Sequence, residues 1–317
     1  MRKFTRFVCA ASAAVLFAGA LAGCGSASTD SSDSGSSGSS GEALKIGIPD
    51  DATNGGRAIK LLEAAGLIEV DPDAGYTPET KDITNYIYNI EVVPAQANTL
   101  PSTLDDYGAC VINGTYAIPQ GLIPSKDALI VESQDTGSSD NPYVNIIAAR
   151  SEDKDNETYK KIVEAFQTQY VGNYIVAKYS EAFIPAFSAY DSSKQEDNTA
   201  EVDAYESDET GKTVVKVGVC GSSNDHWKAV QKVLDEENAN IYIELVEFDA
   251  YNLPNEALNA GEIDLNAFQH KAYLENEVST QNYAIESIGD TLMAPLSLYS
   301  HKASSLDDLK ALAGKKE

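Results

Sequence analysis

Residues 44–67, LKIGIPDDATNGGRAIKLLEAAGL, join a strand-like run to a helix-like run through a polar turn. In the first five residues, apolar side chains stand at every second position, which is typical of a β-strand. Over residues 56–67 the apolar side chains recur at helical spacing, which predicts an amphipathic helix. A strand followed at once by a helix is the repeating unit of α/β proteins, so this stretch predicts that fold class.

The same alternation continues on both sides of an acidic segment. Residues 188–212 contain eight Asp and Glu side chains and few apolar ones, which predicts a solvated linker. Alternating strands and helices favour α/β layers with largely parallel sheets. The further predicted strands are 90–93, 109–112, 128–131, 144–148, 213–219, 241–246 and 292–299, and the further helices are 154–171, 225–236, 254–260 and 305–312.

The amino-terminal region has the layout of an export signal and a tether. Basic side chains without an acid precede an apolar run over residues 7–22, which is shorter than the roughly 20 residues of a spanning helix. The sequence LAGC at 21–24 resembles a bacterial lipobox, so residues 1–23 are expected to be removed and Cys24 lipidated. An uncleaved anchor helix or a free secreted protein is the alternative. Residues 24–43, rich in Ser and Gly, predict a flexible tether at the outer face of the cell membrane.

Charge and cysteine content narrow the function classes. The 317-residue chain has a formal net charge of -26, and a polyanion repels phosphate, so nucleic acid is not an expected partner. Once Cys9 leaves with the signal and Cys24 is lipidated, Cys110 and Cys220 remain. An oxidising compartment permits a disulfide between them, but the apolar neighbours of Cys110 favour a buried thiol. No Cys and His spacing indicates a metal, and no cofactor is expected.

The turn at residues 49–57, PDDATNGGR, has the ingredients of an anion site. Its adjacent glycines allow a tight bend, and the first turn of a helix presents free N–H groups. Arg57 adds a planar guanidinium that matches a carboxylate. An ordinary turn with a solvated arginine is the alternative. The spacing of a phosphate-binding loop is absent.

A second polar and aromatic group lies at residues 266–273, NAFQHKAY. Aromatic walls beside an amide and an imidazole suit a small amphiphilic ligand, although His270 taken alone is more often a surface or satisfied histidine. Asn113 and Tyr116 follow one predicted strand and Asn141 precedes another, and ligands of α/β proteins bind at strand ends. With three histidines and no Gly-x-Ser-x-Gly elbow, the chain is predicted not to be an enzyme.

Together these motifs resemble the NlpA-type lipoproteins, the methionine-binding receptors of ABC transporters. The resemblance covers nearly all of residues 44–187 and 213–317. It implies a type II periplasmic-binding fold, in which two α/β lobes enclose a ligand cleft. The matching stretches are 48–58, 111–116, 140–143, 251–258, 266–273 and 294–300.

The two halves occur in exchanged order. In the family, the part resembling residues 213–317 precedes the part resembling 44–187, so the resemblance implies a circular permutation in which 188–212 joins the former ends. Tandem partial copies would duplicate motifs, and each motif occurs once. A truncated or fused gene is the remaining alternative. The implied lobes are 44–140 with 301–317, and 141–187 with 213–300.

The resemblance also implies residue roles. Arg57 holds the ligand carboxylate, and Asn113 and Asn141 fix the polar amino-acid end. The side-chain pocket consists of Tyr251, Phe268, His270 and Tyr273, and Asn54 and Tyr116 complete the expected ligand-binding set.

The implied function is a lipid-anchored receptor that binds methionine and delivers it to a membrane permease with a cytoplasmic ATPase. Residues 220–227 match the family poorly, so the ligand remains open. Another small amino acid or a methionine-containing dipeptide is the near alternative. A secreted enzyme or a surface adhesin on the same fold is the distant one.

Overall fold

The computed structural model describes residues 42–75, 77–133 and 141–316, arranged as two α/β lobes that are each built on a mixed β-sheet. The predicted signal, Cys24 and nearly all of the tether lie outside the described residues. The strands are β1 (Leu44–Pro49), β2 (Ile68–Val70), β3 (Ile83–Tyr86), β4 (Ile90–Ala95), β5 (Ala109–Ile112), β6 (Ala128–Val131), β7 (Val144–Arg150), β8 (Ile184–Pro185), β9 (Thr213–Cys220), β10 (Ile241–Phe248), β11 (Leu265–Asn266), β12 (Ile285–Met293) and β13 (Ser297–Tyr299). The α-helices are α1 (Ala52–Ala64), α2 (Gly114–Ala117), α3 (Pro124–Asp127), α4 (Glu157–Phe166), α5 (Gln169–Tyr179), α6 (Thr199–Asp203), α7 (His226–Glu236), α8 (Pro254–Asn259), α9 (Lys271–Gln281) and α10 (Leu306–Ala313).

Each of the two large sheets combines a parallel and an antiparallel part, while β2 and β3 form a separate antiparallel pair. The first has strand order β4-β1-β5-β13-β6, with β1 parallel to β4 and β5 and with β13 antiparallel to its neighbours. The second has order β10-β9-β11-β7-β12-β8, with β9 parallel to β10 and β11 and with β7 antiparallel to β11 and β12. The α/β class is as predicted, but the expectation of largely parallel sheets is wrong for the antiparallel parts.

The chain crosses between the sheets from β6 to β7 and again from β12 to β13. Residues 292–299 were predicted as one strand within the second lobe. Instead, Met293 ends β12 in the second sheet, whereas Ser297 pairs with Ile112 and Val131 in the first. The chain has thus joined the first sheet by Ser297, shortly before the approximate lobe boundary predicted at residue 300.

Two helix boundaries differ from the predicted ones because of capping side chains. Helix α1 begins at Ala52 rather than at Gly56, since Asp51 accepts a hydrogen bond from the Asn54 N–H and starts the helix within the predicted turn. The single helix predicted over 154–171 is two helices. Thr168 accepts from the Val171 N–H and begins α5 after α4 has ended.

Most side chains of the acidic segment 188–212 are exposed, as predicted, but the segment is not a free linker, because it packs against the second lobe. It contains α6, in which Val202 is fully buried in the second lobe's core. The Asp203 carboxylate accepts hydrogen bonds from Tyr174 and Lys178. The high content of Asp and Glu did not predict this packing, because one buried valine and a few hydrogen bonds are enough to hold a short helix against the lobe.

We expect Val202→Ala to lower the free energy of unfolding by about 2 kcal/mol, the usual order for truncating a buried aliphatic side chain. Val214→Ala is the matched control, since Val214 is 43% exposed on β9. It should cost no more than about 0.5 kcal/mol. Urea unfolding of both variants measures the difference. Equal effects would mean that the acidic segment is not held to the lobe.

The described residues have two further features that bear on location and chemistry. No helix among them is both long and apolar enough to cross a bilayer. Cys110 and Cys220 are buried free thiols, so the buried thiol predicted for Cys110 is confirmed and the disulfide alternative is wrong. Burial raises the pKa of Cys110 to about 12, which keeps the thiol protonated and unreactive.

Candidate ligand-binding site

A cleft between the lobes gathers polar groups from one side and aromatic rings from the other. From the first lobe come the beginning of α1 and the segment that follows β5. From the second come the loops before α8 and α9. The cleft is lined by Asn54, Arg57, Asn113, Thr115, Asn145, Tyr251, Phe268, Gln269, His270, Tyr273 and Ala294. Seven of the nine ligand-binding residues predicted from the sequence are therefore brought together here.

Asn54 connects the polar groups of both lobes. Its Oδ1 accepts hydrogen bonds from Arg57 Nη1 at 3.2 Å and from Asn113 Nδ2 at 3.0 Å. The same oxygen lies 3.4 Å from His270 Nε2 across the cleft. Asn113 Oδ1 is buried and has no hydrogen-bond partner among the residues the structure describes. An unpaired buried acceptor is costly, so this oxygen is suited to receive a donor from a ligand.

Arg57 is only 3% exposed, which excludes the solvated arginine considered from the sequence. Its Nε and Nη2 donate to the two carboxylate oxygens of Glu132, and its guanidinium carbon lies 4.5 Å from the centre of the Tyr143 ring. Nη2 is also 3.4 Å from the Ala294 carbonyl. Among the described residues, these contacts and the bond to Asn54 use four of the five N–H groups of the guanidinium, which leaves one N–H of Nη1 for a ligand.

The apolar wall consists of Tyr251, Phe268 and Tyr273. The Phe268 ring centre is 5.9 Å from that of Tyr251 and 5.9 Å from that of Tyr273. Such spacing is typical of packed aromatic clusters, and it leaves ring faces for an apolar ligand chain. Burial raises the pKa of Tyr273 and Tyr251, so both hydroxyls stay neutral.

His270 is a structural part of this cleft, and the surface-histidine alternative is wrong. It is 5% exposed, and its Nδ1 accepts a hydrogen bond of 3.1 Å from the Tyr273 N–H at the start of α9. That bond assigns the proton to Nε2, which faces Asn54. Burial and the nearby Arg57 hold the pKa of His270 well below its usual value, so the ring is neutral.

Two predicted residues occupy different places. Tyr116 is buried against the aromatic wall, where its hydroxyl donates to the Asp249 carbonyl at 3.2 Å and its ring centre is 4.9 Å from that of Tyr251. Because Tyr116 belongs to α2 and Asp249 to the second lobe, this contact bridges the lobes. Asn141 accepts from the Tyr143 N–H and does not line the cleft, whereas Asn145 does.

Sequence reasoning missed a buried amide network behind the aromatic wall. Asn255 and Gln269 exchange hydrogen bonds of 2.9 and 2.7 Å, and Asn266 joins both. The network fixes the loop that carries Phe268 and His270. Sequence reasoning also missed Glu132. This residue directly follows a strand, so the rule that identified Asn113 could have found it.

The cleft continues past Phe268 into a second chamber, which shares Thr115, Asn145 and Ala294 with the first. His226, the first residue of α7, lies there with 6% of its surface exposed. Burial lowers the pKa of this imidazole from 6.5 to about 3, so it is neutral in the folded protein.

The neutral state of His226 predicts acid sensitivity. Between pH 6.5 and about 3 the unfolded chain binds a proton at this position that the folded chain does not, so stability falls as the pH falls through that window. His226→Phe removes this term. We expect the parent protein to lose more free energy of unfolding than His226→Phe between those pH values, measured by urea titration at each pH. Parallel losses would contradict a neutral buried His226.

Two α/β lobes that enclose a polar and aromatic cleft define the class of periplasmic-type solute-binding folds. A family model described as NlpA lipoprotein matches residues 41–187 and 215–314, which is well over half of the chain. The chain belongs to the NlpA lipoprotein family, and the resemblance predicted from the sequence is confirmed.

Individual curated relatives match only part of this chain. The chain is 40% identical over 129 residues to the D-methionine-binding lipoprotein MetQ of Salmonella typhimurium, covering 40% of this chain and 46% of MetQ. It is 39% identical over 139 residues to outer membrane lipoprotein 3 of Mannheimia haemolytica, covering 44% and 51%. The chain thus spans about half the length of the curated relatives it matches.

Solved structures also match in part. A Burkholderia cenocepacia nutrient-binding protein bound to methionine is 34% identical, with a TM-score of 0.40 and coverage of 44% of this chain and 57% of that one. The methionine-binding protein MetQ is 36% identical, with a TM-score of 0.29 and coverage of 30% and 39%.

Proposed function

We propose that this chain is the solute-binding receptor of an ABC importer and that its ligand is methionine. The observation that carries the proposal is the pairing of a buried arginine and an unpartnered Asn113 Oδ1 with the aromatic wall in one cleft. That combination suits a small zwitterion with an apolar side chain. Family membership and the names of the relatives support the same choice.

In this proposal the ligand carboxylate binds at Arg57, on the Nη1 edge that Glu132 leaves open. The ammonium group donates to Asn113 Oδ1, and Asn145 replaces the predicted Asn141 at this end of the ligand. The thioether chain lies against Tyr251, Phe268 and Tyr273. Lobe closure excludes water from these contacts and strengthens the charged ones.

The partners and the location follow from the same proposal. The receptor delivers its ligand to a membrane permease driven by a cytoplasmic ATPase, and it is held at the outer face of the membrane by lipid on Cys24. It performs no chemistry on the ligand. The acidic composition, with a net charge of -26, suits a soluble domain outside the cytoplasm and carries no information about a zwitterionic ligand.

Calorimetry with the mature chain tests the ligand. The panel contains both stereoisomers of methionine, other small amino acids and a methionine-containing dipeptide, and methionine is expected to bind most tightly. Tighter binding of another compound would replace methionine as the ligand. No heat and no thermal shift with any of them would favour the adhesin, and turnover lost on mutation of His270 would favour the enzyme.

We also propose that the chain is a circular permutant, with lobes formed by 44–140 plus 297–317 and by 141–187 plus 213–296. In support, the main chains near Leu44 and Gly314 lie side by side, because the Leu44 N–H donates to the Asn89 carbonyl and the Asn89 N–H donates to the Gly314 carbonyl, both at 2.9 Å. Lys315 continues this pairing opposite Tyr88. The two matched stretches of the family model also exclude the segment that would join the former ends.

The permutation predicts that a reordered chain is functional. A chain that runs from residue 213 to 316, continues directly into 44–187 and omits 188–212 should fold and bind methionine within about threefold of the parent, since it keeps the cleft contacts. Circular dichroism and calorimetry measure both. Loss of Val202 packing should lower its stability without changing affinity. An unfolded or non-binding product would contradict the permuted arrangement.

A further inference from the structure

Between the lobes lies a further cavity, the tyrosine chamber, whose lining includes Asp50, Asp51, Tyr116, Tyr251 and Tyr273. Its volume is about 290 Å³, close to the lower end of the range of roughly 300–1,000 Å³ that is usual for small-molecule pockets. The two aspartates and Tyr116 belong to the first lobe, whereas Tyr251 and Tyr273 belong to the second. A ligand in this chamber would therefore contact both lobes.

The tyrosine chamber is negatively charged. Its described lining contains Asp50 and Asp51 but no Lys, Arg or His. Glu277 adds a third carboxylate nearby, because it stands one helical turn after Tyr273 on the same face of α9. Burial raises the pKa of Glu277, and the negative charge of Asp51 raises it further. Carboxylates of the two lobes thus repel each other here, and a cation between them would offset that repulsion.

Three tyrosine rings form the apolar part of the wall. The centre of the Tyr251 ring lies 4.9 Å from that of Tyr116 and 6.3 Å from that of Tyr273. Rings grouped in this way attract a cation through their electron-rich faces, which is how aromatic cages bind ammonium groups. The wall and the carboxylates therefore favour the same kind of ligand.

The Tyr273 hydroxyl offers an unused hydrogen-bonding group. The residue is 5% exposed, and its hydroxyl makes no hydrogen bond with any other residue that the structure describes. The hydroxyl oxygen still keeps some accessible surface. Burial and the negative charges of Glu277 and Asp51 raise the pKa of this hydroxyl, so it lies within the field of the carboxylates. An N–H donor placed there would satisfy a largely buried oxygen.

We propose that the tyrosine chamber binds a small organic ammonium ion, with its charge near Asp50 and Asp51 and an N–H donated to the Tyr273 hydroxyl. The inference goes beyond the proposed function and does not depend on which ligand occupies the cleft. A metal ion suits the chamber less well, because Ca²⁺ takes roughly six to eight oxygen ligands. No group of three or more His, Cys, Asp or Glu within the described ranges could hold a metal. Because the ammonium ion contacts both lobes, it stabilises the arrangement of the lobes that the structure shows.

Calorimetry of the mature chain with butylammonium chloride tests the site, at neutral pH and at an ionic strength held constant with sodium chloride. Butylammonium should bind. Tetramethylammonium has the same charge but no N–H, and it should bind at least about threefold more weakly. Butanol has no charge and should bind more weakly still. The proposal is overturned if butylammonium does not bind or if butanol binds as tightly.

Two variants locate the bound ion. Asp50→Asn changes an exposed residue that lines the tyrosine chamber but not the cleft, and it should weaken butylammonium binding about threefold or more. Asp73→Asn is the matched control, since it removes the same charge from an exposed position outside the chamber and should leave the affinity unchanged. Phe268→Leu alters the cleft and not the tyrosine chamber, so it should change the affinity by less than about threefold.

The opposite pattern would place the ion elsewhere. If Asp50→Asn binds butylammonium as the parent protein does, or if Phe268→Leu is the variant that weakens it, the tyrosine chamber is not the site. Either result leaves the proposed function intact, because methionine binding is measured separately. Loss of methionine binding alone would equally leave the ammonium site intact.

Discussion

Arg57→Ala should reduce the affinity for methionine at least a hundredfold. Truncating one partner of a buried charged pair typically costs about 2–5 kcal/mol, and here two losses coincide. The ligand carboxylate loses its cation, and the Glu132 carboxylate, which now accepts from Nε and Nη2 of Arg57, is left without that partner beside the cleft. An uncompensated Glu132 would repel the ligand carboxylate. Calorimetry measures the change.

Two controls separate binding from stability. Arg150→Ala removes another partly buried arginine, which donates to the Leu258 and Ile263 carbonyls within the second lobe and does not line the cleft. It should lower the free energy of unfolding but leave the affinity within about threefold. Adding Glu132→Gln to Arg57→Ala should recover part of the affinity. If Arg57→Ala costs less than tenfold, the carboxylate is bound elsewhere.

The elements that sequence predicted well are those in which local pattern and tertiary packing agree. The pattern at residues 44–48 corresponds to β1, and the helix predicted over 305–312 corresponds to α10, where Ser305 accepts from the Asp308 N–H. The failures have a common physical cause. Residues 292–299 are continuously strand-like, and only pairing with one sheet or the other decides where the chain crosses between lobes. Pairing is a long-range choice that a single sequence does not encode locally.

The site residues also divide into those that a local motif predicts and those that only tertiary packing brings into place. Arg57 could be identified from the turn motif at residues 49–57, and Asn113 from its place directly after a strand. Glu132 also follows a strand directly, whereas Asn145 lies within β7, and only tertiary packing brings Asn145 into the cleft. The contact that Tyr116 makes within the protein was not predictable for a related reason. A tyrosine near a site is expected to contact ligand, and only the structure shows its hydroxyl bound to the Asp249 carbonyl across the lobes.

The approach of α2 to the second lobe depends on a glycine. Gly221 follows β9 with a φ of +64°, a conformation that side chains other than glycine rarely adopt. A β-carbon built on it would lie 2.9 Å from the Thr115 carbonyl oxygen and 3.1 Å from Thr115 Cγ2. Thr115 belongs to the first lobe, so the missing side chain at Gly221 is what allows the lobes to close this tightly.

Gly221→Ala should therefore weaken methionine binding about tenfold or more. The left-handed backbone costs roughly 1–2 kcal/mol for an L-residue, and in the arrangement of the lobes that the structure shows the methyl group presses on Thr115. Because the ligand needs the closed state, any loss of its population reduces the apparent affinity in proportion. Calorimetry gives the affinity, and small-angle scattering with and without methionine reports closure.

Gly261→Ala is the matched control for this substitution. Gly261 has a φ of +76° in the second lobe, and a β-carbon there would meet nothing within 4 Å. Both variants carry the same backbone strain, but only Gly221→Ala introduces a contact across the cleft. Gly261→Ala should lose stability and keep its affinity. If the two variants bind alike, the Gly221–Thr115 approach does not limit closure, and affinity is set within the cleft alone.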